Sequence, residues 1–198
     1  MTEAHAAGAD ASSPPARCAP GACIWLTGPS GAGKTTVTNA LLPLLIAAGR
    51  TVTVLDTVPL LAKVPGERGS RGKLLRKAFV ASEIVRHGGI AICVTVSTRR
   101  AVREEARAIV GADRFVEVHF DLPLELAAAR RAQRGRKRST LKRAKRTAAR
   151  FAGRLSGRTQ GYEAPLSPEV TIDAAACSAE DGAQLIFDAL RARGYLSP

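Results

Sequence analysis

The run Ile24-Trp25-Leu26-Thr27-Gly28-Pro29-Ser30-Gly31-Ala32-Gly33-Lys34-Thr35-Thr36 contains a GxxxxGK[ST] pattern between an apolar stretch and the start of a helical pattern. Strand, loop and helix in that order are the context in which this pattern binds phosphate. Its glycines let backbone N–H groups converge on phosphate oxygens, and the positive end of the following helix faces the same anion. Lys34 is spaced to reach the β- and γ-phosphates, and Thr35 offers a hydroxyl to Mg²⁺. The run Gly28–Thr36 therefore predicts a site for ATP and Mg²⁺, the alternative being a glycine-rich turn that binds nothing.

The rest of the chain alternates between strand and helix patterns. Short apolar, β-branched runs predict strands at Cys23–Thr27, Thr51–Leu55, Ile90–Val96, Phe115–Phe120 and Val170–Ile172. Helical spacing is found at Lys34–Ala48, Gly72–His87, Arg99–Val110, Pro123–Arg134 and Glu180–Arg193. Pro43 is expected to kink the first helix or to mark a turn. The alternation predicts one α/β domain with a three-layer fold of the P-loop NTPase type, in which helices cover both faces of a five-stranded, mainly parallel sheet.

Asp56 ends the second predicted strand, in Leu55-Asp56-Thr57. Carboxylates at the C-terminal ends of strands in such sheets face the ligand crevice. Asp56 is therefore predicted to orient Mg²⁺ or to accept the proton of an attacking hydroxyl. The alternative is an ordinary aspartate in a turn at the end of a strand.

Length and composition set the class of protein. The 198 residues suit one globular domain, and no stretch approaches the ~18 consecutive apolar residues of a membrane span. Residues 1–21 lack the basic start and apolar run of a secretory signal, so we expect a disordered tail there, a P-loop domain at 22–198, and a cytoplasmic protein. The four cysteines form no CxxC pair, which favours reduced thiols over a metal or disulfide site.

The net charge of +13 is localised. Thirteen Lys and Arg and no acidic residue lie between Arg130 and Arg158, whereas the remaining chain carries seventeen charges of each sign. Within this run, Ser139–Leu155 has an apolar stripe at helical spacing and is predicted to be a basic amphipathic helix, with Ser139 or Thr140 as its cap. Three interpretations stay open: a lid over anionic substrates, a surface for nucleic acid or acidic membrane, and a solvated charged face.

Several segments together resemble the adenylylsulfate kinases, which phosphorylate the 3′-hydroxyl of adenosine 5′-phosphosulfate. The matching segments are Gly28–Thr36, Leu55-Asp56, the Ser97…Arg100…Arg103 pattern, Phe115–Val118 with Pro123–Glu125, Tyr162-Glu-Ala-Pro165, Ser167-Pro-Glu169 and Ile172-Asp173. The resemblance covers about residues 22–195. It implies a P-loop kinase fold, ATP and Mg²⁺ as cofactors, adenylyl sulfate as acceptor, and usually a homodimer.

The resemblance also implies roles for single residues. Lys34, Asp56 and Ser97 are expected to act in catalysis, Ser97 because it matches a serine recorded in some members as phosphoserine. Thr35 and Asp56 would hold Mg²⁺, and Arg130 matches an arginine near the base of ATP. The residues predicted to bind the acceptor are Arg71, Arg76, Arg100, Arg146, Arg150 and Arg158. A lid would span about 130–161.

The sequence departs from the family pattern on the acceptor side. The second acid of the family's Asp-Gly-Asp is Val58, an asparagine is replaced by Leu74, and Gly66 and Arg158 stand where aromatic residues are expected. Base–aromatic stacking contributes ~1–3 kcal/mol per base, so these losses indicate either a different acceptor or a weakened enzyme. The rival functions are a kinase for another anionic small molecule and a non-catalytic, nucleotide-gated nucleic-acid binder.

Overall fold

The computed structural model of the chain describes residues 19–56, 69–141 and 161–196. Within them one sheet is formed by β1 (Ala22–Thr27), β2 (Val52–Leu55), β3 (Ile90–Val94), β4 (Phe115–Asp121) and β5 (Val170–Asp173). The strands lie in the order β2-β3-β1-β4-β5, and every neighbouring pair is parallel. The five predicted strands are confirmed, with bounds that differ by one or two residues.

Helices cover both faces of this sheet. They are α1 (Lys34–Ala47), α2 (Gly69–Arg86), α3 (Arg100–Val110), α4 (Leu124–Leu141) and α5 (Ala179–Ala192), with a 3-10 turn at Ala112–Arg114. Helices α1 and α5 pack on one face and on each other, whereas α2 and α3 pack on the opposite face. The three-layer α/β fold expected from the sequence is confirmed.

The central strand β1 explains why the strand sequences are continuous apolar runs. Ile24 and Leu26 join the core beneath α1 and α5, while Cys23 and Trp25 join the core beneath α2 and α3. A parallel sheet covered on both faces needs apolar side chains at every position. The C-terminal ends of all five strands then meet at one edge, where β1 passes into the glycine-rich loop.

Two expectations about helices change. Of the two alternatives for Pro43, the turn is wrong because α1 continues through the residue, and the kink stays a prediction. The carbonyl that loses a donor belongs to Asn39, and both residues are exposed, so water can satisfy it. Helix α4 runs unbroken to Leu141 and contains Ser139 and Thr140. Neither residue therefore caps a new helix there. The rest of the predicted basic helix, residues 142–155, lies outside the described residues. Residues 1–18 of the predicted tail also lie outside them.

The described cysteines are free thiols. Cys23 and Cys93 are buried on adjacent strands with their sulfurs 3.9 Å apart, and Cys177 is partly exposed. Burial raises the pKa of the Cys23 thiol well above its ordinary value, so this thiol stays protonated. Among the helices of the described part of the chain, none has both the length and the apolar character to cross a membrane.

Candidate active site

The glycine-rich loop packs directly against its neighbours. Gly28 has a φ of 141° and Gly31 a φ of 101°, a region that side chains disfavour. A Cβ at Gly28 would stand 2.7 Å from the carbonyl oxygen of Phe120, and one at Gly31 would stand 2.9 Å from that of Ala127. Glycine is therefore required at both positions, and the loop is held between α1, β4 and α4.

The Lys34 ammonium is buried inside the curve of this loop. It donates to the carbonyl oxygens of Gly28 at 2.7 Å and Pro29 at 2.8 Å. Helix α1 begins at the same place, where the N–H groups of Thr36 and Val37 donate to the Gly33 carbonyl. A phosphate on this loop would meet the ammonium and the positive end of the helix together.

Thr35 and Asp56 bring two oxygen donors together at the edge of the sheet. The Thr35 hydroxyl donates to Asp56 Oδ2 at 3.4 Å, and both residues are exposed. Within the described residues, no three His, Cys, Asp or Glu side chains cluster as a metal cage would require. Mg²⁺ prefers hard oxygen ligands, keeps several waters and uses one or two carboxylates together with substrate phosphates. The donors present fit that ion.

A cavity of about 250 Å³ opens beside the loop. Its lining comprises Gly31, Ala32, Gly33, Thr36, Val37, Phe120, Arg130, Ile172, Ala174, Cys177, Ser178 and Ala179. Arg130 of α4 reaches across it and donates to the Ala174 carbonyl oxygen at 2.7 Å. The cavity thus joins the phosphate loop to a pocket with a mixed polar and apolar lining and one cationic edge, which suits a nucleotide base.

Lys77 joins the ends of two strands next to Asp56. Its ammonium, on α2, donates to the carbonyl oxygens of Asp56 and Val94, each at 2.9 Å. The residue is only 7% exposed. Burial lowers the pKa of the Lys77 ammonium below its ordinary value of 10.5, although nearby Cys93 and Asp56 oppose that fall. A buried cation therefore lies directly beneath the strand ends that carry the site.

A cluster of hydroxyl groups surrounds Ser97, which is 4% exposed and has a φ of 35°. Ser97 Oγ accepts from the Trp25 indole N–H at 3.2 Å and donates to Thr27 Oγ1 at 2.9 Å. It also lies 2.8 Å from the Thr95 hydroxyl. Thr27 Oγ1 in turn lies 3.2 Å from the Tyr162 hydroxyl. Ser97 is therefore enclosed by hydrogen-bond partners.

Arg103, which is 1% exposed, connects three segments around this cluster. Its Nη1 donates to the Ser97 carbonyl at 2.6 Å and its Nη2 to the Glu163 carbonyl at 2.7 Å. Its Nε lies 2.7 Å from Glu117 Oε1. The guanidinium also lies 5.7 Å from the centre of the Tyr162 ring. One buried cation thus holds the segment around Tyr162 against β4 and the loop after β3.

Arg107 extends this buried network. It forms an ion pair with Glu169 at 2.7 Å and lies 3.4 Å from Glu117 Oε2. The Glu117 N–H donates to Glu169 Oε2 at 2.6 Å. Burial raises the pKa of the Glu117 carboxyl above its ordinary value, although Arg103 and Arg107 oppose the rise. The network binds the chain before β5 to α3 and β4.

The chain is similar to known proteins in both sequence and fold. The family model for adenylylsulphate kinase matches residues 20–173. The chain belongs to the adenylylsulphate kinase family. It is 35% identical over 181 residues to the adenylyl-sulfate kinase of Synechococcus sp. (strain JA-3-3Ab), which covers 89% of this chain and 97% of that relative.

Solved structures of the family agree. The Mycobacterium tuberculosis APS kinase in complex with AMPPNP and APS superposes with a TM-score of 0.68 at 27% identity, covering 87% of this chain and 98% of that one. The hexameric APS kinase from Thiobacillus denitrificans gives a TM-score of 0.64 at 29% identity, covering 92% of this chain and 31% of that one.

The arginines predicted to bind the acceptor have different contacts in the structure. Arg71 forms an ion pair with Glu105 of α3, and Arg76 lies partly buried on α2. Arg100 donates to the Ala164 carbonyl at 2.7 Å, so it holds the segment after Tyr162. The other three, Arg146, Arg150 and Arg158, lie outside the described residues. So do the departures from the adenylylsulphate kinase pattern at Val58 and Gly66.

Sequence reasoning assigned no role to Lys77, Thr27 or His119, which all lie at the candidate site. Arg103 was noticed only as part of a family pattern. The His119 ring is stacked 5.9 Å from that of Tyr162. The available signal was the presence of polar residues at helix and strand positions that should be apolar, since such residues are buried only with partners.

Proposed function

We propose that this chain transfers the γ-phosphoryl group of ATP to the 3′-hydroxyl of adenylyl sulfate. The observation that carries the proposal is the phosphate loop with Lys34 inside it and the Thr35 and Asp56 oxygens 3.4 Å apart at its edge. Its membership of the adenylylsulphate kinase family supports the choice of acceptor. The M. tuberculosis relative, which was solved with AMPPNP and APS, supports the same pair of ligands.

The nucleotide is assigned to the loop and the cavity beside it. Backbone N–H groups of Gly28–Thr36 would receive the phosphates, and the base would enter the cavity of about 250 Å³. Arg130 borders that cavity, which supports its assignment to the neighbourhood of the base. Lys34 would meet the β- and γ-phosphates from within the loop.

Thr35 and Asp56 are assigned to Mg²⁺. When bound, the ion neutralises charge that develops on the phosphate oxygens and orients them. Asp56 would direct the metal or accept the hydroxyl proton, and its place at the end of β2 allows either role.

The transfer requires positioning more than covalent help. The acceptor oxygen forms a bond to the γ-phosphorus while the bond between that phosphorus and the β,γ-bridging oxygen breaks, and the hydroxyl proton leaves to a base. Lys34 stabilises the negative charge on the phosphoryl oxygens. Arg146 and Arg150, as part of the proposed lid, would add further positive charge.

A second candidate is transfer to a different anionic acceptor. The Arg71 guanidinium is expected to hold the sulfonucleotide, but here it forms an ion pair with Glu105. Together with the lost aromatic positions, this pairing favours an altered acceptor site. Arg76 and Arg100 remain assigned to the acceptor under either candidate.

Assembly and location follow from the same proposal. A homodimer is proposed from the resemblance, and the T. denitrificans APS kinase, which is described as hexameric, supports self-association in this family. Free thiols at Cys23 and Cys93 and a requirement for ATP support a cytoplasmic protein. Residues 22–198 are proposed to form one kinase domain, with a lid at about 130–161.

The test is a turnover assay with ATP and Mg²⁺ against adenylyl sulfate and a panel of other nucleotides and small anionic alcohols. Formation of 3′-phosphoadenylyl sulfate at the highest kcat/KM of the panel is the expected result. Higher kcat/KM for another acceptor would favour the second candidate. Salt-sensitive binding of RNA or DNA without any turnover would instead indicate a nucleic-acid binder and overturn both candidates.

A further inference from the structure

Lys77 occupies a place in the fold where an apolar residue would be expected. It lies on the face of α2 that packs against the sheet, among Ala78, Ala81 and Val85. Its ammonium is 7% exposed, and removing a charge from water is costly unless the charge gains partners. A cation at this position indicates that hydrogen bonds are needed here, which an apolar side chain cannot donate.

The partners of Lys77 define that task. Val94 is the last residue of β3, and Asp56 is the first residue beyond β2. Their carbonyl oxygens lie one residue past the last pair between β2 and β3, Leu55 with Cys93, and each receives a hydrogen bond of 2.9 Å from Lys77. Lys77 therefore supplies hydrogen bonds at the point where pairing between β2 and β3 ends, and it fixes the main chain of Asp56.

Fixing that main chain determines where the Asp56 side chain points. The carbonyl held by Lys77 and the carboxylate that meets Thr35 belong to the same residue. If the carbonyl were released, the Asp56 backbone could turn, and Oδ2 would move from its place 3.4 Å from the Thr35 hydroxyl. The oxygen pair assigned to Mg²⁺ thus depends on a contact made behind it.

We propose that Lys77 is a positioning residue that locks the end of β2 so that the Asp56 carboxylate stays beside Thr35. The inference rests on the proposed function, since it assigns Lys77 a role in the same site. Lys77 hydrogen-bonds neither of the two side-chain oxygens, and it acts on them through the main chain of Asp56. A merely structural role, in which Lys77 only joins β2 to β3, makes different predictions.

The experiment is a double-mutant cycle between Lys77→Met and Asp56→Asn. Partners behind a metal ligand typically contribute about 10–100-fold to activity or metal affinity, so Lys77→Met should lower kcat by about that factor while KM for ATP stays within about threefold. Because Lys77 acts through Asp56, the double variant should be no slower than Asp56→Asn alone. Lys77→Arg, which keeps the charge and the donors, should recover part of the loss.

Lys73→Met is the matched control, since Lys73 lies one turn earlier on α2 and is exposed. Its kcat should equal that of the wild type. Hydrogen exchange of residues 52–56 in metal-free protein should be faster in Lys77→Met than in either the wild type or the control. If Lys77→Met melts below the assay temperature, Lys77→Gln takes its place with the same expectations.

Binding of AMPPNP at varied Mg²⁺ separates this inference from the proposed function. The half-saturating Mg²⁺ concentration should rise about tenfold in Lys77→Met, and in the double variant it should be no higher than in Asp56→Asn alone. Absence of turnover with adenylyl sulfate in the wild type would refute the proposed function while this Mg²⁺ dependence still tests Lys77. Losses that multiply in the double variant, or a folded Lys77→Met with wild-type kcat and Mg²⁺ dependence, would overturn the positioning role.

Discussion

The Tyr162 hydroxyl lies 3.2 Å from Thr27 Oγ1, so a residue that follows the basic run is joined to the residue that precedes the phosphate loop. Ser97 donates to the same Thr27 oxygen at 2.9 Å. Three segments distant in sequence therefore share one small polar cluster at the end of β1. Since Arg103 binds both Ser97 and the segment after Tyr162, the cluster has little freedom to rearrange.

The first prediction concerns Ser97, which is expected from the family resemblance to act in catalysis. Ser97→Ala leaves the Trp25 indole N–H without the acceptor that it has at 3.2 Å. An unsatisfied buried donor costs about 1–3 kcal/mol, so urea unfolding should show a loss of stability of that size. Because Ser97 is enclosed, we expect kcat to stay within about tenfold of wild type, a change that corresponds to about 1.4 kcal/mol.

Ser70→Ala on the exposed start of α2 is the control for this measurement and should change neither quantity. Incubation with γ-labelled ATP should leave the wild type unlabelled at Ser97. Stable label at Ser97, or complete loss of turnover in a folded Ser97→Ala protein, would support the direct chemical role that the family resemblance implies for this hydroxyl.

The second prediction is a pH dependence of stability that arises from Glu169. Burial raises the pKa of its carboxyl, but hydrogen bonds from Arg107 and the Glu117 N–H lower this pKa by more than burial raises it. The pKa therefore lies below its ordinary value of 4.5. The ionised carboxylate therefore stabilises the fold above about pH 4.5, and this contribution is lost as pH falls through the folded-state pKa. Glu169→Gln should cost roughly 1.5–3 kcal/mol at neutral pH.

The measurement is the free energy of unfolding of wild type and Glu169→Gln from neutral pH to as far below pH 4.5 as the wild type stays folded. The difference between the two proteins should narrow as pH falls from 4.5 through the folded-state pKa, because first the unfolded and then the folded wild type binds a proton that Glu169→Gln cannot bind. Glu125→Gln, in the exposed first turn of α4, should show no such difference. A gap that stays constant with pH would contradict the assigned ion pair.

The fold could be predicted because it depends on patterns among residues close in sequence. The site could be predicted only in part, because it also depends on contacts between residues far apart in sequence. The phosphate loop and the strands were found because glycine spacing and apolar runs report on neighbours in sequence. Lys77 binds the carbonyl of Asp56, 21 residues away, and Arg103 binds that of Glu163, 60 residues away. No spacing rule links such residues. The missed site residues are therefore those whose partners only the folded topology supplies.

The same limit explains Arg71. Its spacing on α2 matches an arginine that should hold a sulfonucleotide, but Glu105 lies opposite it on the packed neighbour α3. A helix–helix contact of this kind leaves no trace in the sequence of either helix. The role of Arg71 toward an acceptor thus stays a prediction.

The third prediction concerns Lys34. Lys34→Met removes the charge that would meet the β- and γ-phosphates, so kcat should fall by about 10²–10³-fold, as for removal of one electrostatic stabiliser of a transition state. Lys73→Met, a loss of one exposed charge, should leave kcat unchanged. A thermal melt must accompany the assay, because Lys34 also bonds the Gly28 and Pro29 carbonyls. Wild-type turnover in a folded Lys34→Met protein would show that the loop is not the phosphate site.

The last prediction concerns the basic run, whose Arg146 and Arg150 lie outside the described residues. Its two flanks are described, and both lie at the ligand edge of the sheet: Arg130 borders the cavity beside the phosphate loop, and Tyr162 reaches Thr27. The two residues that flank the run in sequence therefore both lie beside the proposed ATP site, and this favours the lid. The absence of acidic residues between Arg130 and Arg158 further favours a bound anion, because self-repulsion is otherwise unrelieved.

Replacing Arg146 and Arg150 together by Gln should therefore raise KM for the acceptor or lower kcat, since charge that meets the transferred phosphoryl group or a polyanionic acceptor is lost. Affinity for RNA or DNA should hardly change. If the run were instead a nucleic-acid surface, binding to every sequence would weaken alike, and each lost phosphate contact would flatten the salt slope by about one unit. Turnover and filter binding at several salt concentrations separate these outcomes. A double variant with normal kinetics and lost nucleic-acid binding would refute the lid and weaken the case for a small-molecule kinase.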